Sequence, residues 1–247
     1  MFLDRRCIIF DLDGTLVDSL SLWSSVDQTL IERLSADHVR LTEPEAYALR
    51  WEAMQRYGEG SSTYIKLCAE MKARFGMKET PEEIHRQRYE IAREFGRTRL
   101  RYREGAPEVL RAMKAAGLTL AIATTTRRRN IVTYAEMNEA LIAAAPLYDY
   151  FGDLIYSRDD VERVKPDPEV YERILEKTGF APEECLVVED AAAGMIGARA
   201  AGIDSVVISE PHSEPDREKL DRIAVRRYES HAEILRALEE EGAARGA

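Results

Sequence analysis

The sequence predicts an α/β fold: a parallel sheet core of about five strands flanked by helices, with an all-helical domain inserted after the first strand. Three observations predict it. Five short apolar runs rich in β-branched residues are bounded by turn signals, as buried strands are. Helical patterns separate the last four runs, and alternating strand–helix units of this length build a parallel sheet covered by helices. After the first run, roughly a hundred residues pass with no strand pattern, and amphipathic helical patterns stand there instead.

The first strand is Cys7–Phe10. The insertion opens with the helix "SLWSSVDQTLIERL". A second helix follows Thr42, with Glu45 completing a capping box, and a third follows Ser61–Ser62. The fourth follows Thr80, with Pro81 at the first helical position and Glu83 as its boxing acid. These place the helical domain at 19–102 and leave 1–18 with 103–247 as the α/β core. The core resumes with "APEVLRAMKAAG", a helix with Pro107 near its start and Gly117 at its stop, then the strand Leu118–Ala123. A strand at Leu154–Tyr156 precedes "PDPEVYERILEKTG", a helix from Asp167–Pro168 to Gly179. The strand Cys185–Val188 leads into "AAAGMIGARAAG", whose Gly194 and Gly197 allow close helix–sheet packing. Ser205–Ile208 is the last strand, and the tail is a helix boxed by Ser230 and Glu233 with a frayed end. Together these give a Rossmann-like doubly covered sheet.

A chain of 247 residues with 45% hydrophobic residues is one large domain, or a domain with an inserted partner, and buries a sizeable core. The net charge of −10 argues against general nucleic-acid binding and against a polybasic membrane contact. There is no run of about 18 apolar residues to cross a bilayer. Cys7, Cys68 and Cys185 form no CxxC pair or disulfide framework and read as core thiols, which places the protein in a reducing cytoplasm. His38, His85, His212 and His231 have no metal-ligand spacing, and neither GxSxG nor GxxxxGK[ST] occurs. Trp23 and Trp51, on inserted helices, read as packing residues. Nothing in the sequence fixes the oligomeric state.

The chemistry gathers at the strand ends. In open parallel sheets, ligands bind at the carboxyl ends of the strands. The first strand ends in Asp11 and Asp13, two acids on alternate positions of one extended segment. Two carboxylates ~4 Å apart repel by ~4 kcal/mol at an effective dielectric near 20. The second strand ends in Thr124, Thr125 and Thr126; Lys165 follows the third in "RVKPDP"; the fourth ends in Glu189 and Asp190. Each alone has an ordinary structural reading, as a cap, a turn or a solvated side chain. Jointly they place up to four carboxylates near one point, and such an all-oxygen set calls for a divalent cation of the Mg²⁺ kind. The lysine adds positive charge, and the hydroxyls and backbone N–H groups suit phosphoryl oxygens.

The motifs "DLDGT", "LAIATTT", "VKPDP" and "VVEDAAAG", in this order and each at a strand end, resemble those of the haloacid dehalogenase-like superfamily over the whole chain, the helical insertion being similar to that family's C1 cap. The resemblance implies a Mg²⁺-dependent phosphatase acting through an aspartyl phosphate. Asp11 is then the nucleophile and Asp13 the acid that protonates the leaving alcohol and later deprotonates water. Mg²⁺ is held by the side chains of Asp11 and Asp190 and the carbonyl of Asp13, with Glu189 binding directly or through water. Thr124 and the N–H of Thr125 hold phosphoryl oxygens, with Thr124 favoured by register within the triple threonine. Lys165 neutralises the nucleophile and the transferring group.

Asp13 separates the chain from family members that lack the second acid, the dehalogenases and phosphonatases. A phosphomutase also keeps it, but "LRWEAMQRYGEG" stands where a β-phosphoglucomutase-like cap carries a GxSR stretch. A catalytically silent binding protein is the rival from another class. The "RRRN" of Arg127–Asn130 has two readings, a solvated helix start or an arginine reaching a second anionic group of the substrate. Short paired linkers to the insertion suit a hinge, and closure selects a small phosphorylated metabolite over a phosphoprotein or nucleic acid.

Overall fold

The computed structural model describes residues 1–58, 61–211 and 217–246; His212 and Ala247 lie outside them. The apolar run expected as the first strand forms β1 (Cys7–Phe10), buried throughout. The chain then passes through α1 (Ser19–Leu34), α2 (Glu43–Tyr57), α3 (Ser61–Phe75) and α4 (Pro81–Thr98). It continues with α5 (Ala106–Ala115), β2 (Thr119–Ala123), α6 (Arg128–Met137), α7 (Glu139–Ala144), α8 (Leu147–Phe151), β3 (Ile155–Tyr156), α9 (Glu169–Thr178), β4 (Cys185–Glu189) and α10 (Ala192–Ala200). β5 (Asp204–Ile208), α11 (Arg217–Ile223), β6 (Arg226–Tyr228) and α12 (His231–Gly246) complete the chain.

Among the described residues, six parallel strands form one sheet in the order β3-β2-β1-β4-β5-β6. The sequence predicts about five; the sixth, β6, is three residues long and carries two arginines, so it presents no apolar run. The strand order reverses between β1 and β4, which pair in register from Cys7–Cys185 to Phe10–Val188. A crevice at the carboxyl ends of those two strands is where ligands bind in such sheets. Beneath it, Ile9, Val187 and Ala121 of the sheet pack on Tyr171 and Ile174 of α9 and Ala198 of α10.

The chain divides into two compact units, Met1–Asp18 with Arg101–Ala247, and Ser19–Leu100. Tyr102, placed with the insertion on sequence, bridges to Val17 in the α/β unit. In the helical unit, α1 packs on α2 and α4, and α3 packs on the same two. The Thr80 box forms as expected: the Glu83 N–H donates to Thr80 Oγ1 at 3.2 Å and the Thr80 N–H to Glu83 Oε2 at 2.8 Å. At the centre of the unit, Asp27 of α1 accepts from Arg50 of α2 at 2.9 Å and from Arg88 of α4 at 2.5 Å, all three buried. Trp23 packs its ring 4.4 Å from the Arg88 guanidinium, and Trp51 stacks on Tyr47.

Two expectations for the tail are corrected. Glu233 accepts from the N–H of Glu229 at 2.8 Å, one residue before the expected cap at Ser230. The last residues continue α12 to Gly246, because Ala243, Ala244 and Arg245 are good helix formers.

Candidate active site

The backbone after β1 turns sharply. The Asp11 N–H still donates to Val188 O at 3.0 Å, as a strand residue would. The Leu12 carbonyl then accepts from the N–H groups of both Leu16 and Val17 at 2.9 Å, and the Gly14 N–H donates to Val17 O at 2.9 Å. Gly14 has φ +91°, a left-handed conformation open to glycine, and a Cβ there would lie 2.5 Å from Asp190 Oδ2. Thr15, the next residue, donates its hydroxyl to Asp190 Oδ1 at 2.8 Å.

Lys165 is the hub. Its ammonium donates to Asp11 Oδ1 at 2.8 Å, Glu189 Oε1 at 2.6 Å and the Ala123 carbonyl at 2.7 Å, and lies 5.5 Å from the centre of the Tyr171 ring. Burial works against the charge of Lys165, yet Asp11 and Glu189 hold its pKa well above the ordinary lysine value. Burial pushes Asp11 up to about 7; Lys165 opposes this, while Glu189 and Asp13 add to it. Asp190 is raised well above the carboxylate range, by burial first and then by Glu189 and Asp11.

Asp11, Glu189 and Asp190 each offer an oxygen within 4.8 Å of the others. Three buried carboxylates against one lysine leave a negative excess, which adds to the upward displacement that burial imposes on Asp11 and Asp190. These residues therefore fit a divalent cation with oxygen ligands. Glu189 is the most engaged of the three, since its Oε2 also accepts from the N–H groups of Asp190 and Ala191, each at 3.0 Å.

The threonine run divides its roles. Thr126 donates its hydroxyl to Asp13 Oδ2 in a short hydrogen bond. Thr124 is buried, and its Oγ1 accepts from the Thr126 N–H at 3.1 Å; Thr125 is exposed. The Asp13 partner is thus the third threonine, while Thr124 stays at the end of β2, where register put it. Of the arginines, Arg127 pairs with Asp159 at 3.3 Å, and Arg128 pairs with Asp160 and donates to the Ile155 carbonyl at 2.7 Å. Both are committed to the segment after β3, which favours the structural reading of "RRRN".

Residues 5–202, which include every one of these site residues, match the family described as haloacid dehalogenase-like hydrolase. The chain belongs to that family. This haloacid dehalogenase-like hydrolase is 30% identical to Protein CbbY of Rhodobacter capsulatus over 234 residues, covering 87% of this chain and 89% of the relative. It is 29% identical to hexitol phosphatase A of Escherichia coli over 220 residues, covering 88% and 90% of the two chains. A solved structure from Deinococcus radiodurans, described as a HAD family hydrolase with bound phosphate and sodium, superposes with a TM-score of 0.74 at 27% identity, covering 97% of each chain.

Sequence reasoning missed two features of the hydrolase site. Thr15 stands in "DLDGT", yet nothing in the sequence shows that its hydroxyl bonds Asp190. Gly194 allows the close helix–sheet packing expected of it, but the β4 atom it makes room for is an acid oxygen, since a Cβ there would lie 1.5 Å from Glu189 Oε1. A glycine in the first turn of the helix that follows an acidic strand end is the signal that could have revealed it.

Proposed function

We propose that this hydrolase is a cytoplasmic, Mg²⁺-dependent phosphatase that cleaves a small phosphorylated metabolite through an aspartyl phosphate on Asp11. The observation that carries this reading is the cluster of Asp11, Glu189 and Asp190 around a single lysine at the sheet's switch point. With Oδ1 of Asp11 bonded to Lys165, Oδ2 is left to attack phosphorus. Asp13, oriented by the Thr126 hydroxyl, protonates the leaving alkoxide and then takes a proton from the water that attacks the acyl phosphate. Thr124 and the Thr125 N–H hold two phosphoryl oxygens. Lys165 offsets charge on the nucleophile and on the group in transfer.

Asp11, Asp190 and the Asp13 carbonyl would hold Mg²⁺, with Glu189, whose oxygens also accept from Lys165 and from two backbone N–H groups, binding it directly or through water. When bound, the ion supplies the positive charge that three acids and a phosphoryl group require. The names of the relatives, among them a hexitol phosphatase, support a small phosphomonoester. Three free, buried cysteines support a reducing compartment, and no described helix is long and apolar enough to cross a membrane.

The test is phosphate release from a metabolite panel with p-nitrophenyl phosphate as control, for the wild type and Asp11→Asn. Net release of inorganic phosphate by the wild type, lost by a factor of about 10³ or more in the variant, is expected. Rearrangement of a sugar phosphate without net release would replace the phosphatase reading with a mutase.

A further inference from the structure

Arg103 lies outside every motif described above, yet it binds the turn that carries Asp13. Its Nη1 donates to the Gly14 carbonyl at 2.5 Å and its Nη2 to the Ser209 carbonyl at 2.6 Å. The base of Arg103 is itself fixed: its N–H donates to Leu16 O at 2.8 Å and its carbonyl accepts from Ala106 at 3.0 Å. Ser209 is pinned in turn, with its N–H on Tyr228 O at 2.8 Å and its Oγ accepting from Arg227 at 2.8 Å. One guanidinium thus ties the turn after β1 to the edge of the sheet formed by β5 and β6. We propose that Arg103 is a positioning residue for the phosphoryl-transfer site, holding the Gly14 peptide so that Asp13 on one side and Thr15 on the other face their partners.

Glycine supplies the φ of +91° that the turn needs, and it also supplies freedom. Asp13 precedes Gly14 and carries the proposed acid; Thr15 follows it and bonds Asp190. Peptide planarity means that fixing the Gly14 carbonyl fixes the whole plane between residues 14 and 15. The Gly14 N–H, on Val17 O, fixes the plane before it. Removing the Arg103 bond frees one of these two planes. The planar fork of Arg103 holds two carbonyls in a fixed geometry, which the point charge of a lysine on its flexible stem does not reproduce.

The inference rests on the phosphatase reading, and its test exploits the proton delivered by Asp13. An alkyl leaving group needs that proton, whereas p-nitrophenolate departs without it. In Arg103→Ala, kcat for an alkyl phosphomonoester is expected to fall about a hundredfold, the scale of a small misplacement. For p-nitrophenyl phosphate the fall is about tenfold or less, with KM for both esters within about threefold of wild type. Arg103→Lys should lie between, and added guanidinium ion should partly restore Arg103→Ala. Circular dichroism and urea melts count the folded fraction; if Arg103→Ala does not fold, Arg103→Lys carries the same comparison. Equal losses on the two esters, tracking the folded fraction, or an unchanged kcat on the alkyl ester, would overturn the proposal while leaving the phosphatase reading intact. If wild type and Asp11→Asn release phosphate equally, the phosphatase reading itself fails and takes this inference with it.

Discussion

Gly194 and Glu189 approach so closely that a methyl group on the glycine would lie 1.5 Å from Oε1 of the acid. That same oxygen accepts the Lys165 bond at 2.6 Å. The first turn of α10 is therefore a wall against which the carboxylate is set. Gly194→Ala is expected to push Glu189 off Lys165, lower turnover at least about tenfold and cost about 1–3 kcal/mol of stability. Gly197→Ala meets Tyr171 Cε2 at 3.1 Å and the Pro166 and Asp167 carbonyls at 3.2 Å, with no atom of Glu189 among its nearest neighbours, so it should cost stability with a smaller loss of kcat than Gly194→Ala. Urea melts and steady-state rates on both variants check this.

Chelation should stop turnover, and Mg²⁺ should return it while Ca²⁺, with its larger and looser shell, returns little. Because Asp11 is raised to about 7 from 3.8, the metal-free folded protein binds more protons than the unfolded chain across that interval. Its stability in chelator should fall as pH rises from about 4 to about 7. Mg²⁺ at about 100 times its Kd adds about 2.7 kcal/mol and should flatten that fall. Urea melts across pH with and without Mg²⁺ measure both effects; an unchanged slope would remove the metal from the acidic cluster.

His231 is buried at the start of α12, and burial, aided by the charge of Arg103, pushes its pKa down to about 3 from 6.5. The folded state keeps the imidazole neutral while the unfolded chain takes up a proton below about 6.5. This group's contribution to stability is full above that pH and is lost as pH falls toward 3. At pH 5 the loss is about 2 kcal/mol, from about 1.4 kcal/mol per pH unit. The difference in unfolding free energy between wild type and His231→Gln, measured from pH 7 to pH 4, should change by that slope.

In the helical unit, Asp27 is the shared acceptor of two buried arginines. Asp27→Asn leaves Arg50 and Arg88 buried without a counter-charge and should destabilise the protein by about 3–5 kcal/mol. A combined Asp27→Leu, Arg88→Met variant removes one cation with the acid and should recover part of that loss. A double-mutant cycle in urea gives the coupling.

Four residues of the candidate site are legible because they stand at strand ends: Asp11, Glu189 and Asp190 each terminate an apolar run, and Lys165 follows one. Strand boundaries agree within about a residue for the same reason. What was not legible is pairing across the chain. Three consecutive threonines look alike in sequence, and only the turn after β2 shows that Thr126 meets Asp13. Arg103 sits in a linker with no periodicity, and its carbonyl partners at Gly14 and Ser209 leave no side-chain signature. The segment from Arg128 to Phe151 breaks into α6, α7 and α8, since Asn138 caps α7 and Pro146 begins a new turn. β6 escaped because its arginines point to charge where a strand needed only three backbone bonds' length.

The contact between α1 and α4 bears on the order of assembly. β1 pairs with β2, which lies more than a hundred positions further along the chain. Closing so long a loop is slow, because its entropy is lost before any strand contact forms. The first and last helices of the insertion pack on each other and are joined by Asp27 and Arg88. The Asp18 N–H meets Arg101 O at 3.0 Å, and Val17 bridges Tyr102, just where the insertion leaves and rejoins the sheet domain. Once those helices have formed, the chain ends that leave them are already neighbours, and the stretch of chain that must be closed between β1 and β2 is shortened by the length of the insertion. An insertion that folds first would thus lower the entropy lost in pairing β1 with β2.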